Sequence, residues 1–364
     1  MPEPIGVAFT GLTHPHVLHR IALLQANPEV RLVGCYDPDP GLLAGIAERT
    51  GLTPYSSLDA LLDQSEVNFV IIEGWDPDNP GYVHEAAIRG KAVLVEKPGA
   101  PNLPAMRAML NDLREHPVPF KIGYQLRHSL VIPHVQRLLA DGVLGFVTLA
   151  RFHAAAPVGG GADPWQNVPG DLGGLMYTDG CHMIDLLVHL LGAPKRVQGM
   201  TLTLPAGPPV IAHNFKSDTL TTSDRAEIPL GGLMYEDAAA ALLDYGDKLV
   251  TCDITGWEAH PWVDTWRVEF YGTDGALYVG LKPPSYRLFV RNQKTTYTPG
   301  WHTWEATTPD PTYEDELAAM LDRVRAWDLA GNEQWLSDAE NVIAVLDAIF
   351  QSARGTSAIE LGQR

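Results

Sequence analysis

The chain has 364 residues, of which 45% are hydrophobic and 19% charged, and its formal net charge is −18. That length exceeds one comfortable core, so two domains of ordinary globular composition are expected. The acidity argues against a nucleic-acid partner, which needs clustered Lys and Arg, and against an anionic membrane surface; a small sugar or polyol is compatible with it.

Cys35, Cys181 and Cys252 are few and far apart, fit no zinc spacing or disulfide framework, and suit a reducing compartment. No stretch approaches the roughly 20 apolar residues of a membrane span, and "MPEPIGVAF" has neither a basic n-region nor a long apolar run. The expectation is a cytoplasmic protein.

"IGVAFTG" (5–11) is a short apolar run ending in Gly, which suits a buried parallel strand. Thr13 or His14 can cap the next helix, with Pro15 in its first turn and Val17, Leu18, Ile21 and Leu24 at helical spacing. "VRLVGCYD" (30–37) reads as a second strand, 41–51 as a helix stopped by Gly51, and 67–74 as a third strand. A helix over 80–90, a strand over 91–98, a helix over 103–116 and a strand near 119–125 follow. Such alternation predicts a doubly wound parallel sheet with its ligand crevice at the strand C-termini.

Gly11 closes the first turn, and Asp37 follows about 26 residues later, near the usual distance for an acid that binds an adenosine ribose. A carboxylate there repels a 2′-phosphate, and no Arg or Lys follows in "DPDP", so NAD is favoured over NADP. The plainer reading of Asp37 is a turn residue before Pro38. In "GLTHPHVLHR" the second and third glycines of a G-x-G-x-x-G loop are replaced by Thr13 and His16, and Pro15 removes one amide from the helix start. Thr13 and the remaining helix-start amides are expected to meet the pyrophosphate in their place. His14 and His16 also form H-x-H after a strand, a metal spacing. No regular series of later His and Asp ligands accompanies it, so no metal is expected, and His14 and His16 are expected instead as helix-start or phosphate-side histidines that bind the cofactor.

"HEAAIRGKAVLVEKP" (84–98), "GGLMYTDGCHMIDLLVHLLG" (173–192), "EDAAAALLDYGDKLVT" (236–251) and "SDAENVIAVLDAIFQSARGTSAIEL" (337–361) run in order along the chain. Together with "GYQLRHSLVIPHVQRLLADGVLG" (123–145), they resemble the glucose–fructose oxidoreductase, inositol dehydrogenase and MocA-like family. The resemblance implies an α/β fold: a nucleotide-binding Rossmann-type domain over 1–122, then an α/β domain over 123–364. The second domain carries a large, mainly antiparallel sheet that binds substrate and forms oligomers, a dimer or tetramer. Candidate strands suit that sheet, whereas 206–232 reads as a long loop or insertion.

By the same resemblance Lys97 of E-K-P is the leading catalytic residue and Glu96 lines the nicotinamide region. Gln125 also faces the cofactor, while Tyr124 and Arg127 approach nicotinamide or substrate. His182 is a candidate base beside the substrate, or else a mid-helix histidine paired with Asp179 and Asp185. The family's Asp four residues before this histidine is here Thr178, with Asp179 next door; one helical step turns a side chain by roughly 100°, so Asp179 inherits the role only if the turn is irregular. His84 is expected to orient backbone at the crevice, and Trp165 to stack on a sugar face. Trp257, Trp262 and Trp266 are expected to be sheet or interface aromatics rather than ligands. The leading function is NAD-dependent hydride transfer to or from a sugar, inositol or related polyhydroxy compound. The alternatives are an NAD-dependent lyase or glycosidase with transient oxidation, and a non-catalytic ligand-binding or regulatory protein on the same fold.

Overall fold

A computed structural model describes residues 3–156, 173–216, 221–230, 235–258, 265–293, 296–355 and 357–362. The first third alternates β1 (Ile5–Thr10), α1 (His16–Gln25), β2 (Val30–Tyr36), α2 (Pro40–Thr50), α3 (Leu58–Leu62), β3 (Phe69–Ile72), α4 (Asn79–Ile88), β4 (Ala92–Val95), α5 (Leu103–Glu115) and β5 (Phe120–Ile122). Asp39 accepts from the Gly41 and Leu42 amides to start α2, and Gly51 ends it in the left-handed conformation. The five strands pair in parallel in the order β2-β1-β3-β4-β5. Alternate residues fill two cores: Val7, Phe9, Ile71 and Leu94 pack under α1, while Ala8, Val70, Ile72 and Val95 pack under α3, α4 and α5.

After a 3-10 turn over Gln125–His128 come α6 (Ile132–Ala140), β6 (Val147–Ala155), α7 (Leu175–Thr178), α8 (Cys181–Leu191) and β7 (Arg196–Leu202). Then follow β8 (Gly207–Lys216), β9 (Thr221–Leu230), β10 (Ala238–Asp244), β11 (Leu249–Thr255), β12 (Arg267–Gly272), β13 (Gly275–Leu281), β14 (Pro284–Val290) and β15 (Gly300–Glu305). The chain closes with α9 (Thr312–Ala326), α10 (Asn332–Gly355) and β16 (Ile359–Glu360). Nine strands form one sheet, ordered β15-β14-β13-β12-β6-β11-β10-β7-β16, antiparallel except for the β6–β11 pair. Period-2 patterning buries Phe152, Val250, Cys252, Ile254 and Phe270 beneath α8 and α10 and leaves the opposite face outward.

The stretch expected as a loop over 206–232 instead contains β8 and β9, an antiparallel hairpin. Its Val, Ile and Thr content favours extended backbone despite the prolines and glycines. The last helices return to the first sheet: Leu317, Met320, Leu321 and Val324 of α9 join the core with Val7 and Phe9.

Candidate active site

At the C-terminal end of β1, Gly11 turns with φ +58°, and a Cβ there would lie 2.5 Å from the Cα of Gly74. The Leu12 amide donates to Asp37 Oδ2 at 2.6 Å and the Asp39 amide to Oδ1 at 2.8 Å. Asp37 is therefore the buried acceptor that shapes the turn, and burial pushes its carboxyl up against the pull of those two amides. Each oxygen keeps a second lone pair for a ribose hydroxyl.

The helix-start amides are not available as the sequence suggested. His14 N–H donates to the Glu73 carbonyl, His16 N–H to His14 Nδ1 and Val17 N–H to the His14 carbonyl. Pro15, at the N-cap of α1, has no amide to give. From Leu12 to Val17, only the Thr13 amide has no acceptor among the described residues. The expectation that several amides replace the missing glycines is thus corrected to one amide and the Thr13 hydroxyl.

Beneath this turn lies a buried ionic cluster. Arg20 is 0% exposed; its Nη1 donates to Glu73 Oε1 and Glu96 Oε2, both at 2.5 Å, and its Nη2 to Glu316 Oε2 at 2.8 Å. His16 Nδ1 lies 3.2 Å from Glu96 Oε2, Tyr313 Oη lies 2.8 Å from His16 Nε2, and Gln125 Nε2 donates to Tyr313 Oη at 3.2 Å. Burial lowers the His14 pKa well below its usual value and that of His16 to about 4. Burial likewise pushes Glu73 up to about 8, although Arg20 opposes it. It also opposes charge on Glu96, yet His14, Arg20 and His16 hold that carboxyl well below its ordinary range.

Across the crevice Lys97 Nζ donates to the Thr178 carbonyl at 2.5 Å. Burial works against its ammonium, but Cys181, Asp179 and Glu96 raise its pKa overall. The helix expected through residue 182 is broken: α7 ends at Thr178, Asp179 takes φ −115° and α8 starts at Cys181. The irregular turn required for Asp179 is therefore present. Burial raises the Asp179 carboxyl, while Lys97 and Lys282 pull it down. Thr178 contributes its carbonyl, and its Oγ1 donates to Gly174 O at 2.8 Å and lies 3.3 Å from Asp179 Oδ2.

His182 sits in the first turn of α8, not mid-helix, and its Nδ1 has no hydrogen-bond partner among the described residues. Its ring is edge-on to Tyr124 at 6.0 Å and to Trp266 at 5.8 Å. Burial and the Lys97 charge hold it well below the usual histidine value. The Tyr124 hydroxyl also has no hydrogen-bond partner among the described residues.

Asp185 does not pair with His182. It takes Arg127 through Nε and Nη2, while Arg127 Nη1 reaches Asp338 at 2.8 Å and its guanidinium lies over the Trp335 ring. Arg127, expected at the substrate, is a buried clamp joining the 3-10 turn to α8 and α10. His84, expected at the crevice, is partly exposed and lies 3.1 Å from Asp112 between α4 and α5. Trp165 and Trp262 lie outside the described residues. Trp257 donates through Nε1 to Asp237 Oδ1 at 2.9 Å.

Sequence reasoning missed Lys282, whereas Trp266, expected as a sheet aromatic, is buried in the core of the large sheet and donates through Nε1 to the Ala155 carbonyl at 2.9 Å. Lys282 Nζ lies 4.6 Å from the Trp266 ring centre, and burial lowers its pKa to about 8 despite Asp179 and Asp310. No motif marks either residue. Arg20 did leave a signal: it interrupts the apolar face Val17, Ile21 and Leu24 with a charge that needs buried partners.

Residues 5–124 match the oxidoreductase family with an NAD-binding Rossmann fold, and residues 132–278 match the GFO/IDH/MocA C-terminal domain. The chain belongs to the GFO/IDH/MocA oxidoreductase family. It is 30% identical over 226 residues to an uncharacterized oxidoreductase of Streptococcus pneumoniae, covering 61% of this chain and 58% of that one. It is 25% identical to a D-apiose dehydrogenase of Paraburkholderia graminis, over 98% of this chain and 88% of the relative. The WlbA dehydrogenase of Bordetella pertussis, solved with NADH and UDP-GlcNAcA, superposes with TM-score 0.74 at 20% identity, covering 100% of both chains. Among the described residues no helix is long and apolar enough to cross a membrane.

Proposed function

We propose that this family member is an NAD-dependent oxidoreductase that moves hydride between nicotinamide and a sugar, inositol or related polyhydroxy compound. The observation that carries the reading is the convergence of Lys97, the broken turn at Asp179 and neutral His182 at the C-terminal end of β4. The nucleotide fits the left-handed turn at Gly11, with Thr13 on the pyrophosphate and Asp37 accepting from the ribose. Glu96 and Gln125 line the nicotinamide side. Bound nicotinamide supplies the hydride acceptor or donor.

The chain's own groups handle the proton and the developing charge. His182 Nδ1 accepts the substrate hydroxyl proton, and its basicity rises as an alkoxide forms beside it. The Lys97 ammonium, aimed by the Thr178 carbonyl, stabilises that alkoxide. Asp179 sets the charge between Lys97 and Lys282, and Tyr124 and Trp266 wall the site. Residues 1–122 then form the nucleotide-binding unit and 123–364 the substrate unit of a cytoplasmic homo-oligomer. Exposed Met200, Leu202, Leu242 and Leu249 on the large sheet support the last point.

Calorimetric titration of nucleotide-free protein with NAD and NADP tests the cofactor, followed by a polyol and sugar screen for NADH formation. Micromolar NAD binding with weaker NADP binding is expected. Lys97→Met should lower kcat by about 10²–10³-fold while leaving NAD affinity in place. Binding of neither nucleotide, or unchanged turnover in Lys97→Met, overturns the proposal.

A further inference from the structure

We propose that His14, His16 and Glu96 form a binding site for one first-row divalent transition-metal ion, with zinc as the representative, at the C-terminal edge of the parallel sheet. One donor atom from each residue lies within 4.8 Å of the other two. The two imidazole centres are 4.3 Å apart on either side of Pro15, and His14 Nε2 is 3.8 Å from Glu96 Oε1.

The carboxylate is divided in a way that suits an ion. Oε2 takes Arg20 and faces His16, whereas Oε1 is buried and accepts no hydrogen bond from the described residues. A buried carboxylate oxygen without a donor is costly, and a cation satisfies it directly. Two imidazoles and one carboxylate suit zinc, cobalt or nickel rather than magnesium or calcium, which favour all-oxygen shells.

The surroundings fit the same assignment. Arg20 is one positive charge shared by the buried acidic side chains Glu73, Glu96 and Glu316, so a cation placed against Glu96 meets acidic neighbours. Outer contacts hold the ligands as metal sites require: Arg20 fixes Glu96, and Tyr313 Oη is 2.8 Å from His16 Nε2. With Nδ1 on the ion, the ring proton sits on Nε2 and donates to that hydroxyl oxygen. Three protein donors leave the fourth position of a tetrahedral ion for water or another oxygen. The ion also brings positive charge to a turn left with only the Thr13 amide. The third ligand that the H-x-H spacing seemed to lack is the glutamate of E-K-P.

The test uses full-length, tag-free protein made metal-free by chelator dialysis and titrated with cobalt(II) chloride, without nucleotide. One equivalent should bind with visible d–d absorption, and zinc chloride should displace it. His14→Gln and His16→Gln should each weaken binding at least about ten-fold, whereas His19→Gln, outside the cluster, should not. Absence of cobalt and zinc binding, or full binding in His16→Gln, overturns the site. If far-UV circular dichroism shows a variant unfolded, the wild-type spectrum decides: nitrogen and oxygen donors support the site, and thiolate charge-transfer bands overturn it. A separate NAD titration of metal-free and metal-loaded protein keeps failure of this site distinct from failure of the dehydrogenase reading.

Discussion

Arg20→Met removes the buried guanidinium while keeping much of the side chain's apolar length. Glu73, Glu96 and Glu316, reaching Arg20 from residues 53, 76 and 296 positions away, then lose their common partner. Removing one side of a buried ion pair costs about 3–5 kcal/mol. The loss is not tripled, because Glu73 already titrates near 8 and is largely protonated at neutral pH. At about 2–4 °C per kcal/mol for chains of this class, Tm should fall by about 6–20 °C. The pH dependence is the sharper part. Glu73, whose pKa is raised in the folded state, adds stability below its unfolded value near 4.5, and that stability is lost as pH rises through the folded value. Without Arg20 the Glu73 value rises further and Glu96 loses one of the groups that hold its carboxyl low, so the deficit relative to wild type should be larger at pH 8 than at pH 5. Urea unfolding of both proteins at the two pH values, with Glu316→Gln added to recover part of the loss, measures it. A deficit below about 1 kcal/mol, or one equal at both pH values, would refute the reasoning.

Gly11→Ala should cost about 1–3 kcal/mol for the left-handed backbone alone, with the contact to Gly74 added, and an unchanged urea midpoint would contradict it. Asp37→Ala should destabilise nucleotide-free protein by about 1–3 kcal/mol, because the Leu12 and Asp39 amides lose their acceptor; unchanged stability would mean the carboxylate does not shape the turn. Burial lowers His16 to about 4, so its contribution is present above the unfolded value near 6.5 and is lost as pH falls toward 4. His16→Gln should flatten the acid side of the Tm-against-pH curve in that window, and an identical slope would exclude the role. Leu242→Arg, on the outward face of the large sheet, should shift the mass in light scattering to a monomer. A wild-type monomer would remove the sheet from consideration as an interface.

The local pattern of residues determined the alternation of the first domain, because burial of one face repeats every two residues in a strand and every 3.6 in a helix. It also determined that Gly11, Asp37 and Lys97 stand at strand ends, since Gly11 and Asp37 directly follow a largely apolar run and Lys97 follows one after Glu96. What the residues 206–232 form was masked by their prolines and glycines, which punctuate a hairpin as readily as a loop. Only tertiary structure decided which charges share a cavity. Arg127 and Asp185, 58 residues apart, meet because α8 packs on the 3-10 turn. Lys282 and Trp266 reach His182 from β-strand termini that no spacing connects to it. His14, His16 and Glu96 converge because β1 and β4 end on the same edge of one parallel sheet, a relation set by strand order rather than by distance along the chain.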